Sequence, residues 1–330
     1  MPRRKWEIPE REATDEAVYL NRRKFLRGAG LGTIGLISGC IPDRLLQPTD
    51  LLDPKPFLGI EDREPIPPDQ WYPAPVNPDF STLDRPLTDE EIAGLYNNFY
   101  EFTTTKEVWK YIDKFEPSPW TVEIAGLVNE PRTWDIDDLV GRMDLEERLY
   151  RHRCVEAWSM AIPWTGFPMK ALIDQVEPLS SARFVRMTSF FNPSVAPGQW
   201  DRPDFPWPYV EGLSMAEATN ELTLLVTGIY GHALPTQHGA PLRLVTPWKY
   251  GFKGLKSIVR IEFVEEQPAT FWNTEAPHEY GFLSNVEPEV PHPRWSQASE
   301  RFISTSLSSF ERRDTLLYNG YEEYVAHLYA

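Results

Sequence analysis

Proline limits the fold of this chain more than any other residue, because 32 prolines and 19 glycines are spread over its 330 positions. A proline inside a helix removes a hydrogen bond and clashes with the preceding turn, which excludes long helices from most of the sequence. Between the prolines lie short runs in which apolar and polar side chains alternate, as in strands with one buried face. We predict strands at 120–125, 148–154, 184–188, 222–226, 242–245 and 257–263.

The helices that this sequence predicts are few and short. Thr88 and Glu91 have the spacing of a capping box at a helix start, and Ser214 and Glu217 repeat it at the start of a helix over 214–219. A third short helix is expected over 135–143. Many short strands with a few short helices predict an α+β fold that is rich in β-structure.

Composition predicts a globular protein with no nucleic-acid partner. The hydrophobic content is 41% and there are 12 tryptophans, enough for a substantial core in one large domain or two smaller ones. The part after Gly39 carries 25 basic and 44 acidic residues, a net charge of −19. Nucleic acid and anionic lipid surfaces are therefore unsuitable partners, and an anionic ligand would need a local basic pocket.

The arginine pair Arg22-Arg23 precedes Phe25-Leu26 and a glycine-rich apolar run at 28–41 that is too short to span a bilayer comfortably. Charged, apolar and polar stretches in this order are typical of a twin-arginine signal, which exports proteins already folded. The alternative is a solvated basic turn beside a buried helix. We predict a signal peptide over 1–40, a periplasmic location, and a cofactor inserted before export.

Cys40 follows Ile37-Ser38-Gly39, a small-residue box of the kind at which lipoproteins are cleaved and acylated. A lipid anchor at Cys40 and an ordinary cysteine at the end of a signal are both open. After it, prolines recur over 41–88, which predicts an extended linker or a strap laid over the domain; the aromatic residues in this segment favour the strap. The remaining residues, 89–330, form the main domain, and the segment after Pro268 is expected to wrap it.

Cys154 is a lone thiol if Cys40 is removed or acylated, because the chain has only two cysteines. In an oxidising compartment, such a thiol is either buried and unreactive or kept unpaired by a chemical role. We expect the flanking Arg151 and Arg153 to lower its pKa and favour the thiolate, which attacks electrophiles and binds soft metals. A cysteine hydrolase with His152 or a distant histidine as base is an alternative, although no local nucleophile motif supports it.

Other cofactor motifs are missing from the sequence. It has no Gly-x-Gly-x-x-Gly between a strand and a helix, no phosphate-loop lysine, no His-x-x-x-His and no Cys-x-x-Cys-His. We therefore predict neither a structural zinc nor a covalent haem.

Several long segments resemble the bacterial protein-methionine-sulfoxide reductase catalytic subunits, periplasmic molybdenum enzymes of the sulfite oxidase fold. They read Tyr-Asn-Asn-Phe-Tyr-Glu-Phe at 96–102, Arg-Cys-Val-Glu-Ala-Trp-Ser-Met at 153–160 and Pro-Trp-Lys-Tyr-Gly-Phe-Lys-Gly at 247–254. Shorter matches lie at 228–231, 239–241 and 292–298. The order of the segments and the leader both agree with that family, and the resemblance runs from about residue 95 to 321.

The resemblance implies one molybdenum-molybdopterin per chain, with the Cys154 thiolate binding molybdenum beside the dithiolene of the pterin. It also implies a set of pterin contacts: Asn97, Tyr100, Glu101, Ser189, His238, Arg243 and the turn Gly254, Leu255 and Lys256. Ser189 stands where relatives have Thr, and His238 where some have Asn; both keep a hydrogen-bonding group. Arg243 and Lys256 suit the pterin phosphate, the strong anion of such a site.

Three lysines, Lys249, Lys253 and Lys256, alternate with aromatic residues between 248 and 256. Spaced lysines are usually a solvated face. Against the acidic background of this chain, we expect them instead to form an anion-facing loop.

The implied reaction is oxygen-atom transfer from a sulfoxide, with repair of oxidised periplasmic proteins as its purpose. On an alternating strand Glu156 would share the face of Cys154, so we expect it to be a proton donor beside the metal; a surface salt bridge is the alternative. Electrons would come from a membrane haem subunit that draws on quinol. A sulfite oxidase-like enzyme and a non-catalytic exported lipoprotein that binds partners are the competing interpretations.

Overall fold

The computed structural model describes residues 71–330. The predicted signal peptide over 1–40, the acylation site at Cys40 and the first part of the proline-rich segment lie outside the described residues.

Residues 71–330 contain twelve strands and seven short α-helices, joined by turns and single 3-10 turns. The strands are β1 (Thr121–Gly126), β2 (Arg132–Asp135), β3 (Glu146–Arg153), β4 (Trp158–Pro168), β5 (Phe184–Ser189), β6 (Val210–Ser214), β7 (Leu224–Ile229), β8 (His232–Ala233), β9 (Arg243–Val245), β10 (Ile258–Val264), β11 (Ser299–Phe302) and β12 (Glu311–Asp314). The helices are α1 (Glu90–Leu95), α2 (Ile136–Val140), α3 (Met169–Val176), α4 (Pro197–Asp201), α5 (Met215–Ala218), α6 (Phe271–Glu275) and α7 (Glu322–Val325). In this part of the chain, no helix is long and apolar enough to cross a membrane.

The strands form two mixed sheets. The first has the order β2-β1-β10-β5-β6, with β1 and β10 parallel and its other neighbours antiparallel. The second has the order β12-β11-β4-β7-β8, with β3 also paired to β4 and β9 to β7. Its long antiparallel pair, β3 and β4, joins Glu146 to Gly166 at one end and Arg153 to Ser159 at the other. The turn that closes this pair contains Cys154.

Two large clusters of buried apolar side chains pack against the sheets. One cluster joins the sheets, because Ile124 and Ile261 of the first pack with Phe167 and Leu225 of the second, all fully buried. The other surrounds β3 and β4 and includes Cys154. A smaller aromatic cluster holds the chain before β1: Phe99, Phe102, Phe115 and Phe190. Burial of this apolar area is the main favourable contribution to the fold.

The predicted α+β class is confirmed, and all six predicted strands exist, with ends shifted by at most three residues. The capping box of Ser214 and Glu217 is confirmed at the start of α5. The box predicted at Thr88 is wrong: α1 starts after Asp89 with no side-chain cap. The Thr88 hydroxyl instead donates to the carbonyl oxygen of Ile303 (2.7 Å) in a buried tertiary contact.

The described part of the proline-rich segment, 71–88, contacts the main domain at several points. The Tyr72 hydroxyl donates to the carbonyl oxygen of Thr227 at 2.8 Å, and Val76 forms a parallel bridge with Glu147. Farther along, the Arg85 guanidinium forms a buried ion pair with Glu300 (2.6 Å). These contacts connect the segment to β3, β7 and β11.

Two of the three lysines in the expected anion-facing loop have a different role. Lys249 forms a buried ion pair with Glu217, and Lys253 forms one with Glu211. Burial of all four side chains excludes a solvated face, and the carboxylate partners leave neither lysine available to an anionic ligand. The prediction is therefore wrong for Lys249 and Lys253, because carboxylates far away in sequence neutralise them.

Glu217→Gln should lower the free energy of unfolding by about 3–5 kcal/mol, because it leaves the Lys249 ammonium buried without its carboxylate. The matched control is Asp174→Asn, which breaks the exposed pair of Lys170 and Asp174 within α3 and should cost less than about 0.5 kcal/mol. Denaturant unfolding of both variants measures the difference. Equal losses would contradict a structural role for the buried pair.

Candidate active site

Cys154 was predicted to end its strand, but it lies in the turn between β3 and β4, one residue beyond the end of β3. The Cys154 N–H donates to the carbonyl oxygen of Trp158 (2.9 Å), and Ala157 completes the turn with a φ of 62°. The thiol is 4% exposed and packs in the apolar cluster around β3 and β4. The fold therefore gives the lone thiol a rigid and nearly dry position.

Polar groups from two segments surround the Cys154 sulfur. Glu156 Oε2 lies 3.7 Å from Sγ, and the Asn98 side-chain amide lies 3.6 Å from it. The same amide donates to Glu156 Oε2 (3.3 Å), while Lys106 forms an ion pair with Glu156 and donates to Asn98 Oδ1 (2.6 Å). A fourth contact comes from the Trp158 indole, which donates to Glu156 Oε2 at 3.1 Å.

Glu156 comes close to Cys154 for a reason other than the predicted one. Both residues lie in the turn and not on an alternating strand, so strand periodicity does not place them on one face. The turn itself folds the carboxylate back over the sulfur. The expected proximity is confirmed, but the expected cause is wrong.

The charge of Arg153 lowers the pKa of Cys154 as predicted, but too weakly to favour the thiolate. Burial and the Glu156 carboxylate raise the pKa of this thiol to about 12. Arg153 is already committed to Glu300 (3.2 Å) and to Gln297 Oε1 (2.8 Å). A soft metal cation would therefore be needed to hold the thiolate here, since coordination deprotonates a thiol outright.

The pKa of Glu156 is lowered, whereas that of Cys154 is raised. Burial alone would raise the pKa of Glu156, but the Lys106 ammonium and hydrogen bonds from Trp158 and Asn98 hold it below its ordinary value. Glu156 is therefore a carboxylate at neutral pH in this arrangement.

Arg243 and Lys256 are two buried cations, and the Glu101 carboxyl acts on Lys256 from beyond ion-pair distance. Arg243 donates to the carbonyl oxygens of His238 (2.9 Å) and Gly254 (3.4 Å). Lys256 donates to the carbonyl oxygens of Asn98 (2.7 Å) and Gln237 (2.8 Å) and to Asn97 Oδ1 (3.2 Å). No carboxylate between residues 71 and 330 forms an ion pair with either cation. Burial lowers the pKa of Arg243 to about 9 and that of Lys256 well below its ordinary value.

Three more of the predicted contacts adjoin Lys256. Asn97 accepts from its ammonium, and the Ser189 hydroxyl donates to its carbonyl oxygen (2.9 Å). The Glu101 carboxyl is fully buried beside Ser189, and burial raises its pKa to about 7. Tyr100 lies on the sulfur side, where burial and the charges of Glu156 and Cys154 raise the pKa of its hydroxyl.

The other predicted contacts surround Arg243. The His238 ring is buried against Trp164, at a centroid distance of 6.4 Å, and burial lowers its pKa well below the ordinary value. The Gly254 carbonyl accepts from Arg243, so this glycine borders the site. Leu255 packs its side chain into the core between the sheets, and its N–H and carbonyl bond to Lys253 and Leu244. Leu255 therefore contributes to a ligand site only through the backbone shape of the turn.

The residues present fit an anionic pterin cofactor that carries a metal. Two buried cations without carboxylate partners favour a phosphate, since only an anion offsets their desolvation. Gln237 precedes His238, and its backbone carbonyl accepts from Lys256. Its side-chain oxygen is buried and has no hydrogen-bond partner within the described part of the chain. Cys154 supplies a single soft ligand, and no group of three or more metal-binding side chains occurs among residues 71–330. Other metal ligands would thus have to come from the cofactor.

Sequence reasoning missed two residues that contact this site, Asn98 and Lys106. Asn98 lies inside the segment 96–102 that carried the resemblance, between two residues that were singled out. Lys106 follows three threonines in a stretch with no motif, so only the tertiary fold reveals its contact with Glu156.

Residues 109–272 match the family model described as an oxidoreductase molybdopterin binding domain. The domain and this site together define the class: a molybdopterin-binding oxidoreductase. Cys154, Ser189, His238, Arg243 and the turn to Lys256 all fall inside the match.

Comparison over the whole chain identifies the family. The protein-methionine-sulfoxide reductase catalytic subunit MsrP of Ralstonia nicotianae is 45% identical over 329 residues, which cover 98% of this chain and 94% of that protein. MsrP of Burkholderia mallei is 45% identical over 327 residues, with 98% and 93% covered. The chain belongs to the family of protein-methionine-sulfoxide reductase catalytic subunits, as its motifs predicted.

The solved crystal structure of the sulfane dehydrogenase SoxCD from Paracoccus pantotrophus is a much weaker match. It shares 15% identity and a TM-score of 0.39, over 46% of this chain and 40% of that chain, and supports no conclusion.

Arg243→Met should reduce cofactor retention about tenfold or more, because it removes charge-assisted hydrogen bonds to an anion. The matched control is Arg132→Met: Arg243 stacks 4.7 Å from the Trp164 ring and Arg132 stacks 4.0 Å from the Trp134 ring, but Arg132 is exposed. Molybdenum and pterin per chain are measured after purification, with circular dichroism to show that both variants are folded. Equal cofactor content in folded samples of the two variants would contradict the assignment.

Proposed function

We propose that this protein reduces methionine sulfoxide, free or within proteins, with one molybdenum-molybdopterin per chain. The observation that carries the proposal is the pairing of one buried thiol, facing Asn98 and Glu156, with two buried cations, Arg243 and Lys256, that form no ion pair in the described part of the chain. Family membership supports the same activity, since the relatives are named as reductases of methionine sulfoxide in proteins.

Each part of the site has a physical task in this proposal. Cys154 Sγ would hold the metal, while Arg243 and Lys256 would hold the phosphate of the pterin. The remaining contacts would orient the pterin by hydrogen bonding and shape: Asn97, Tyr100, Glu101, Ser189, His238, Gly254 and Leu255. The bound cofactor supplies the oxygen-atom transfer itself, as cofactors generally carry the difficult chemistry.

Glu156 is suited to handle protons at this site. Its carboxylate lies 3.7 Å from the sulfur that would hold the metal, and Lys106 and Asn98 keep it oriented. A sulfoxide that loses its oxygen requires protons for the water that forms, and a carboxylate at this distance can relay them.

We also propose that the protein acts in the periplasm after twin-arginine export, lipid-anchored through Cys40 if that residue is acylated. Its electrons would come from a membrane haem subunit that draws on quinol, and oxidised periplasmic proteins would be its substrates. The arginine pair at 22–23, the apolar run after it and the family resemblance support this part.

The first test is the oxidation of a reduced viologen dye by methionine sulfoxide, with Cys154→Ser as the control variant. We expect sulfoxide-dependent oxidation by the native protein and at least about a 1,000-fold lower rate in the variant, because loss of the thiolate removes a metal ligand. Molybdenum in the native protein without turnover would indicate a sulfite oxidase-like enzyme. Neither metal nor turnover would indicate a binding protein.

Export can be tested separately with the double variant Arg22→Lys, Arg23→Lys, which keeps the charge but removes the arginine pair. We expect the protein to stay in the cytoplasm, as measured by fractionation. The matched control changes the second arginine pair, Arg3 and Arg4, which no apolar run follows. Equal export of both variants would contradict the twin-arginine signal.

A further inference from the structure

The carbonyl oxygen of Val155, the residue after Cys154, accepts two side-chain hydrogen bonds. The Trp295 indole N–H donates to it at 2.8 Å, and the Gln297 side-chain amide donates at 2.8 Å. Both donors are about 140 residues farther along the chain. Two strong side-chain donors on one turn carbonyl indicate that the position of this peptide is held from outside the β3–β4 pair.

The same segment also binds the end of the turn. The Ala157 carbonyl accepts from the Arg301 backbone N–H (2.8 Å), and the Glu156 carbonyl accepts from the Arg301 guanidinium (3.1 Å). Every carbonyl of the turn after Cys154 is thus bound by residues 295–301. The Cys154 carbonyl itself accepts from Arg153, whose guanidinium also donates to Gln297 Oε1.

The two donors to Val155 are themselves rigidly held. The Trp295 ring stacks on His292 with centroids 3.8 Å apart and planes 8° apart. Gln297 is 1% exposed and joins Arg153 to the Val155 carbonyl through both ends of its amide. Their rotamers are locked by these contacts, which is the condition for holding a site in a defined geometry.

We propose that Trp295 and Gln297 are positioning residues that set the orientation of Cys154 and Glu156 by holding the Val155 carbonyl. The proposal rests on the metal-ligand role of Cys154 proposed above. It gives a function to the segment 292–298, which lies outside the domain match at 109–272. A metal ligand and a carboxylate on one short turn move together when the peptide between them moves. A small displacement of that peptide would therefore change the positions of both side chains.

Trp295→Phe tests the proposal, because it keeps a ring to stack on His292 and removes only the donor to Val155. The matched control is Trp120→Phe, since the Trp120 indole also donates to a backbone carbonyl, that of Ile258, at 2.8 Å, in a bond that does not involve the turn at 154–157. Both variants lose one hydrogen bond, and thermal unfolding should show similar losses of stability.

The readouts are kcat, KM and the electron paramagnetic resonance spectrum of the loaded metal in its one-electron state. Trp295→Phe should lower kcat about fivefold with KM unchanged, which corresponds to one net hydrogen bond, and should shift or broaden the spectrum. Trp120→Phe should change neither. Gln297→Leu removes the second donor together with the side-chain acceptor of Arg153, and it should repeat the changes in kcat and spectrum.

An unchanged spectrum and kcat in Trp295→Phe, or equal changes in Trp120→Phe, would overturn the positioning role. A change in KM alone would also overturn it, because Trp295 would then act by contacting substrate. Cys154→Ser separates the two proposals: if it leaves the metal spectrum unchanged, the ligand assignment fails, whatever the tryptophan variants show.

Discussion

The turn between β3 and β4 is the constraint on which the rest of the site depends. Its two strands are tied into the second sheet, so the turn projects from a rigid base. A thiol buried there, beside a carboxylate, strongly favours its protonated form. The Cys154 thiol therefore keeps its proton unless a metal cation binds the thiolate. Cofactor binding is in this way linked to the electrostatics of the folded protein.

Buried charge is distributed in two ways around that turn. Lys249, Lys253 and Arg153 have carboxylate partners within the chain, so their charges are neutralised internally. Arg243 and Lys256 bond to carbonyl and amide oxygens, which solvate a cation without neutralising it, and Glu101 acts on Lys256 only from beyond ion-pair distance. The desolvation of these two cations is a cost in the folded protein that a bound anion offsets. The arrangement distinguishes cations that stabilise the fold from those that are left for a ligand.

Local periodicity located six of the twelve strands in residues 71–330, because alternation reflects burial of one face. It missed β4, whose side chains are almost all buried and therefore do not alternate. Local sequence patterns failed wherever a residue distant in the sequence bonded to the side chain in question. Thr88 bonds to Ile303 instead of capping α1, and Lys249 pairs with Glu217 instead of an anion. The effect of Arg153 on the thiol was likewise misjudged, because Glu300 and Gln297 engage its guanidinium. In each case the partner is more than 30 residues away.

The sequence by itself determined the α+β class, the family and the single cysteine after residue 40, because strand periodicity and long motifs are properties of local residue order. Only the tertiary structure decided which charges face the site, since ion pairing depends on neighbours that folding brings together. It also decided what holds Cys154. Asn98 and Lys106 approach from before β1, and Trp295, Gln297 and Arg301 from the far end of the chain. No local pattern encodes such contacts, because they exist only when the two sheets and the segments around them are packed.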